Sequence, residues 1–290
     1  MKDKIIKYIP LDKSWIIRMG ILDLLNNYQD TIIFLKKQDK LSGDLQALLK
    51  ALEDWNLNQE IDAGESGTLY RFLQFASWKL NLGKKFILRE TLQKRKISNN
   101  PEIVNWKLQD LLNLDNHTSQ WASASVLLGN KEKIKNPPFK LKLTYEAVRH
   151  WKEKRAKKEC WILRYDKTIL AQAEAYLNLV KTAKINFIPK QAEDYCFARA
   201  FNLITKEEGE KRWPSLRGHE SNRIIEMEKA INDYKNNKEI ESKDHRVIQA
   251  IVMLSKLENK EVKIKYPQSV NKSWPQFWDF INNFQFIFLN

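Results

Sequence analysis

The sequence predicts an α/β chain, and three observations carry that expectation. Short apolar runs that read as strands alternate with longer segments whose apolar residues recur at three- and four-residue spacing. Hydrophobic residues make up 43% of the 290, a globular composition with length for one or two domains and a buried core. Several of the helical segments open on hydroxyls, glycine or basic residues. Free amides at such a start attract anions.

Taken in order, residues 4–9 read as a strand. Ser14 then caps a helix through Ile21, Leu22, Leu24 and Leu25, with Lys13 and Arg18 flanking its start. On its own that segment is a capped surface helix. Thr31 to Leu35 reads as a strand, and Ser42-Gly43-Asp44 opens a helix carrying Leu45, Leu48, Leu49 and Leu52. From Asp62 to Arg71, small residues free the amides of a helix start that Thr68 can cap; Leu69, Phe72, Leu73, Phe75 and Ala76 continue it. Phe86 to Leu88 is a short strand, followed by the basic loop 93–97. Thr118 and Ser119 place hydroxyls at the next helix entry. Residues 139–143 alternate like a strand, and 144–154 follow as a helix. Residues 161–163 and 185–188 are strand-like, with an amphipathic helix from Ile169 to Val180 between them. Glu193-Asp194 opens a helix carrying Tyr195, Phe197, Ala198, Phe201 and Leu203, and residues 284–289 close as a strand.

The most informative stretch is Leu216-Arg217-Gly218-His219-Glu220-Ser221-Asn222-Arg223. It leads into Ile224, Ile225, Met227 and Ile231 at helical spacing, so Glu220 and Arg223 share the first turn of the expected helix. A second such start follows 21 residues after Arg223, at Lys243-Asp244-His245-Arg246. Arginines at two helix entries suit a bound phosphate or carboxylate.

The net charge is +14. A solvated basic surface and a cleft for anionic substrates both account for it. Nucleic-acid binding is not expected, because no recognisable module accompanies the charge. Cys160 and Cys196 stand far apart in apolar surroundings, which points to neither a zinc site nor a disulfide framework. Met1 to Pro10 has no apolar core of signal length, and no 18-residue apolar run occurs. The expectation is a soluble cytoplasmic monomer with no membrane association, no metal and no cofactor. No phosphate-cradling glycine loop or nucleophile elbow is present.

Leu-Arg-x-x-Glu-Ser-x-Arg followed by Asp-His-Arg resembles the C-terminal half of the 5-enolpyruvylshikimate-3-phosphate synthase family, the 3-phosphoshikimate 1-carboxyvinyltransferases. Further matches follow in the family's order. Lys13, Ser14 and Arg18 match its Lys-Ser-x-x-x-Arg; Gly67, Thr68 and Arg71 match its Asn-Ala-Gly-Thr-x-x-Arg, with Glu65 where the family has Asn. Arg95 lies at the family's Arg-Pro-Ile, here with Lys96 for Pro. Thr118, Ser119 and Gln120 match Ser-Ser-Gln, and Lys272 lies in Val-Asn-Lys-Ser-Trp-Pro-Gln-Phe-Trp, which is similar to the family's last motif. Lys140 falls where the family places a ring-packing Tyr, and His219 where it has Lys.

The resemblance implies a fold of two domains, each of repeated βαβαββ units, with the first over 12–186 and a shortened second over 1–11 plus 187–290. It implies transfer of the enolpyruvyl group of phosphoenolpyruvate to the 5-hydroxyl of shikimate 3-phosphate, with release of phosphate. Glu220 and Lys13 would handle the proton of the vinyl carbon, and Asp194 would take the hydroxyl proton. Arg95, Arg223, Arg246 and Lys272 would hold phosphoenolpyruvate. Ser14, Arg18, Thr118, Ser119 and Gln120 would hold the shikimate ligand, with Gly67, Thr68 and His219 as further substrate contacts. The alternative is a relative without catalysis that binds a phosphorylated metabolite. An acidic Asp194 that only caps its helix is equally in keeping with the residues.

Overall fold

The computed structural model describes residues 2–89, 92–115, 118–157, 164–217 and 222–284. In chain order the elements are α1 (Lys2–Ile5), α2 (Lys13–Leu25), α3 (Asp30–Lys36), α4 (Gly43–Asp54), β1 (Glu60–Asp62), α5 (Gly67–Lys79) and β2 (Lys85–Ile87). Then come α6 (Leu108–Leu112), α7 (Gln120–Leu127), α8 (Phe139–Ala156), α9 (Lys167–Thr182) and α10 (Tyr195–Ala200). The last are α11 (Lys206–Arg212), α12 (Arg223–Lys235), α13 (His245–Leu257) and α14 (Phe277–Phe284).

This corrects the expected fold class. Of the described residues 61% are helix and 4% strand, so the fold is not an α/β assembly of repeated βαβαββ units. Its one named sheet, among the described residues, is the parallel pair β1–β2, in register Glu60↔Lys85, Ile61↔Phe86 and Asp62↔Ile87. Parallel strands need a crossover, and α5 provides it.

Three of the expected strands are helices, for identifiable reasons. Residues 4–9 form α1 and a 3-10 turn over Ile6–Tyr8. Residues 31–35 lie in α3, where the Thr31 amide and hydroxyl both donate to buried Asp23, at 3.0 Å and 2.6 Å. Thr31 and Leu35 are buried one turn apart while Ile33 between them is half exposed, which is helical and not strand periodicity. The alternating 139–143 belongs to α8, which begins after Pro138 and buries Leu141, Thr144 and Ala147 at three-residue steps. Residues 185–188 have no regular structure, and only 86–88 overlaps a strand. Of the strand expected at 284–289, Phe284 ends α14 and 285–289 lie outside the described residues, as do Cys160 and the strand expected at 161–163.

The chain divides into two compact units, Leu11–Arg164 and Met1–Pro10 with Tyr165–Asn290. In the first unit α2 is buried from Trp15 to Asp23 and packs on α3, α4, α5 and α8. A helix apolar on every side belongs at the centre of its unit, and α7, buried from Trp121 to Leu127, is the second such helix. Their core gathers Ile16, Leu48, Phe72, Phe75, Trp121 and Leu141. In the second unit α13 plays the central part, buried from His245 to Met253 and packed on α10 and α12. One side of its core holds Ile5, Ile9, Trp274, Phe277 and Phe280; the other holds Tyr195, Ile224, Met227 and Ile251. No helix among the described residues is long and apolar enough to cross a membrane.

Candidate functional site

Within Leu11–Arg164, polar contacts join α2 and α7 to α8, and the first turn of α5 to that of α7. Arg18 is the centre of one group. It is 1% exposed, and its guanidinium donates to Thr144 Oγ1 at 2.7 Å, the Ser14 carbonyl at 2.7 Å and the Lys140 carbonyl at 3.1 Å. All three acceptors are neutral. Burial pulls the Arg18 guanidinium down to about 10; Asp12 opposes the shift and Arg164 adds to it. A buried cation held only by neutral oxygens has lost its hydration without gaining an ion pair, a loss of several kcal/mol.

Around Arg18 the surface is cationic. Lys140 Nζ stands 3.4 Å from Ser14 Oγ, and Lys13 Nζ is 2.8 Å from Asp44. Thr144 continues the contacts to Ser123 Oγ at 3.0 Å, in the first turn of α7. Lys140 thus brings an ammonium to the entry of α2.

The second group follows β1 directly. Asp62 ends the strand and the segment turns through Gly64 (φ +58°), where the Gly64 amide donates to Asp62 Oδ1 at 2.9 Å. Ser66 then caps α5. Gly67 leaves room for two guanidinium groups: a Cβ there would meet Arg95 Nη1 at 2.9 Å and Arg71 Nη1 at 3.0 Å. Arg71 donates to Gln120 Oε1 at 2.8 Å, and Gln120 Nε2 donates to Thr68 Oγ1 at 3.0 Å. Ser119 is the N-cap of α7 in the left-handed region, with φ 54°, and the Thr118 hydroxyl accepts from the Gln120 amide at 3.4 Å. Gly67, Thr68, Arg95, Thr118, Ser119 and Gln120, singled out from three separate motifs, therefore stand together. Placing arginines and hydroxyls at a helix start after a parallel strand suits an anion.

Sequence reasoning missed what anchors this group. Asp115 accepts from Arg71 Nε at 2.8 Å, Trp121 Nε1 at 2.7 Å and the Ser98 amide at 2.9 Å. Burial lowers the pKa of Arg71, and Asp115 works against that shift. Asp115 sits at φ 48°, a conformation Asp tolerates better than most, but nothing local in the sequence marks the role.

In the other unit, Asp244 joins two sequence-predicted arginines. As N-cap of α13 it accepts the Arg246 amide at 2.8 Å through Oδ1, and Arg223 Nε at 2.9 Å through Oδ2. All three residues are buried. Arg246 Nη1 has no hydrogen-bond partner among the described residues. It lines a small cavity with Gln172, Cys196 and Gln249. Cys196 is a free thiol whose pKa burial pushes up, so it is no nucleophile.

Asp194 is 4% exposed and its carboxylate serves as a local clamp. It accepts the Lys190 and Gln191 amides at 2.9 Å and 3.0 Å, and Gln172 Nε2 at 3.0 Å. Lys272 ends the 3-10 turn Pro267–Lys272. His219 and Glu220 lie outside the described residues.

No protein-family model, no curated protein and no solved structure matches the chain.

Proposed function

We propose that the protein binds a small phosphorylated metabolite that also carries a carboxylate, at the first turns of α2, α5 and α7. The observation that carries this is Arg18, a buried guanidinium held by three neutral oxygens beneath Ser14 and Lys140. An anion seated on Lys140 Nζ and Ser14 Oγ supplies the negative charge that Arg18 lacks in direct contact. The hydroxyls and amide of Thr68, Thr118, Ser119 and Gln120 supply neutral donors beside it. The motif resemblance makes shikimate 3-phosphate the first ligand to try. The protein would meet it in the cytoplasm as a monomer.

Titration calorimetry of the whole chain with shikimate 3-phosphate tests this, with Ser14→Ala and Lys140→Ala as partly exposed, fold-sparing variants. Binding that weakens at least roughly tenfold in the double variant, about 1.4 kcal/mol, supports the reading. Binding that both substitutions leave unchanged overturns it.

A second reading adds chemistry: transfer of the enolpyruvyl group from phosphoenolpyruvate to the 5-hydroxyl of shikimate 3-phosphate. The order of the matched motifs along the chain favours it. In that reaction the hydroxyl loses a proton and attacks the vinyl carbon that bears phosphate. The neighbouring vinyl carbon gains a proton, giving a methyl group; phosphate then leaves as that methyl gives a proton up again, which restores the double bond. The three protein donors on Asp194 suit a helix clamp better than a base, which is why binding is placed first. Phosphate release that requires both substrates and falls in Glu220→Gln would establish the transferase. Shikimate 3-phosphate binding without release would leave a binding protein.

A further inference from the structure

A groove of about 400 Å3 lies on the second unit, one wall running from Ile240 to Lys243 just ahead of Asp244, and neither reading above uses it. One wall is α12, whose Glu226, Lys229, Ala230 and Asp233 fall at i, i+3, i+4 and i+7 and so share a face. The other wall is the segment Ile240 to Lys243 with Tyr266. The Ile240↔Ile264 bridge fixes that wall, through Ile240 N to Lys263 O at 2.9 Å and Lys265 N to Ile240 O at 3.1 Å.

Most of the charges in the groove answer one another. Glu226 accepts a short hydrogen bond from Ser242 Oγ. Glu241 holds Lys265 at 2.7 Å and Lys229 at 3.9 Å. Two charges are not answered. Asp233 is 9% exposed, yet no hydrogen bond or ion pair reaches its carboxylate among the described residues. Lys243 Nζ stands 4.9 Å over the Tyr266 ring and has no carboxylate partner among the described residues. The acids are not gathered for a metal either: among the described residues no three His, Cys, Asp or Glu side chains are placed to share one.

A largely buried carboxylate without a partner is unfavourable unless something else supplies the charge. Here an unanswered anion and an unanswered cation line one groove, whose volume falls within the range of small-molecule sites, roughly 300–1,000 Å3. The ligand that complements both is a small zwitterion. We propose that this groove binds a free α-amino acid, with its ammonium on Asp233 and its carboxylate on Lys243. The Tyr266 ring stands beside Lys243, within reach of the ligand's side chain.

The test is calorimetry of the full chain with the common amino acids, and with the N-acetyl and the amide derivative of whichever binds best. Asp233→Asn and Lys243→Gln are the variants, and thermal melts check that each still folds. The expected result is one or a few binders whose affinity falls at least roughly tenfold in Asp233→Asn, about 1.4 kcal/mol. The N-acetyl form, lacking the ammonium, does not bind. The amide, lacking the carboxylate, binds more weakly and no longer responds to Lys243→Gln. Absence of binding by every amino acid at about ten times a millimolar dissociation constant overturns the proposal, since sites weaker than that bind by little more than contact. Binding that folded Asp233→Asn leaves intact also overturns it. So does equal binding of putrescine or magnesium ion, which would make the groove a plain cation site.

Discussion

A methyl group on Gly67 would come within 2.9 Å of Arg95 Nη1 and 3.0 Å of Arg71 Nη1. Both atoms end flexible side chains, and Gly67 is not in the left-handed region, so the helix can keep its shape while the guanidinium groups move aside. Gly67→Ala is therefore expected to melt within a few degrees of the parent, yet to weaken shikimate 3-phosphate binding by roughly tenfold, or about 1.4 kcal/mol. Equal affinity in a folded variant would separate Gly67 from the site. Asp62, five residues earlier, governs a pH dependence. Arg89 hydrogen-bonds its carboxylate and holds its pKa below the ordinary 3.8, with the Gly64 amide adding to the effect. A depressed carboxylate contributes stability that is present above its unfolded value and lost as pH falls through the folded value. The acid limb of stability below pH 3.8 should thus be shallower in Asp62→Asn than in the parent, as read by urea midpoints across that range. Gly67 was legible in the sequence because glycine at a helix entry has a local meaning. Asp115 was not, because the groups it serves, Arg71 and Ser98, are far from it along the chain.

At the scale of single elements, the entry of α13 has two parts that can be taken away separately. Asp244 caps the helix through Oδ1 and holds buried Arg223 through Oδ2. Asp244→Asn keeps an acceptor for the Arg246 amide and removes the charge. Asp244→Ala removes both. A lost cap costs about 1 kcal/mol, and removing one partner of a buried pair about 3–5 kcal/mol. Chemical denaturation should place Asp244→Ala about 4–6 kcal/mol below the parent, with Asp244→Asn between them by about the worth of the cap. Equal losses would mean that the cap contributes nothing. Elements of this kind were readable from sequence because a capping residue followed by apolar periodicity fixes a helix start from within a few residues. The segments 31–35 and 139–143 were misread because a short apolar or alternating run fits a strand and a buried helix turn alike. What decided them lay outside each run: Asp23, eight residues back, takes both donors of Thr31, and the Lys140 carbonyl accepts from Arg18. The same misreading repeated along the chain is why a helical protein was expected to be built on sheets.

For the whole molecule, the chain leaves one unit after Pro10 and returns to it at Tyr165, so the two units differ in how they depend on chain continuity. Leu11–Arg164 is one continuous segment with its own core, including Ile16, Phe72 and Trp121. It should fold when expressed alone and unfold in a single cooperative transition. Residues 165–290 lack that independence. Ile5 and Ile9, both buried, belong to their core, and Trp274 Nε1 donates to the Tyr8 carbonyl at 2.6 Å. The Tyr8 ring also packs edge-on against Phe280 at 6.4 Å and Phe284 at 5.6 Å. Burying each isoleucine is worth about 1.5–3 kcal/mol, so removing the first ten residues takes about 3–6 kcal/mol from that unit before the tyrosine is counted. Against a typical domain stability of about 5–15 kcal/mol, a loss of that size leaves the fragment marginal. Hydrogen exchange on a chain lacking residues 1–10 should show lost protection in α9, α13 and α14 while α2, α5 and α7 keep theirs. If α13 and α14 stay as protected as in the full chain, the N-terminal segment is an attachment to the second unit and not part of its core.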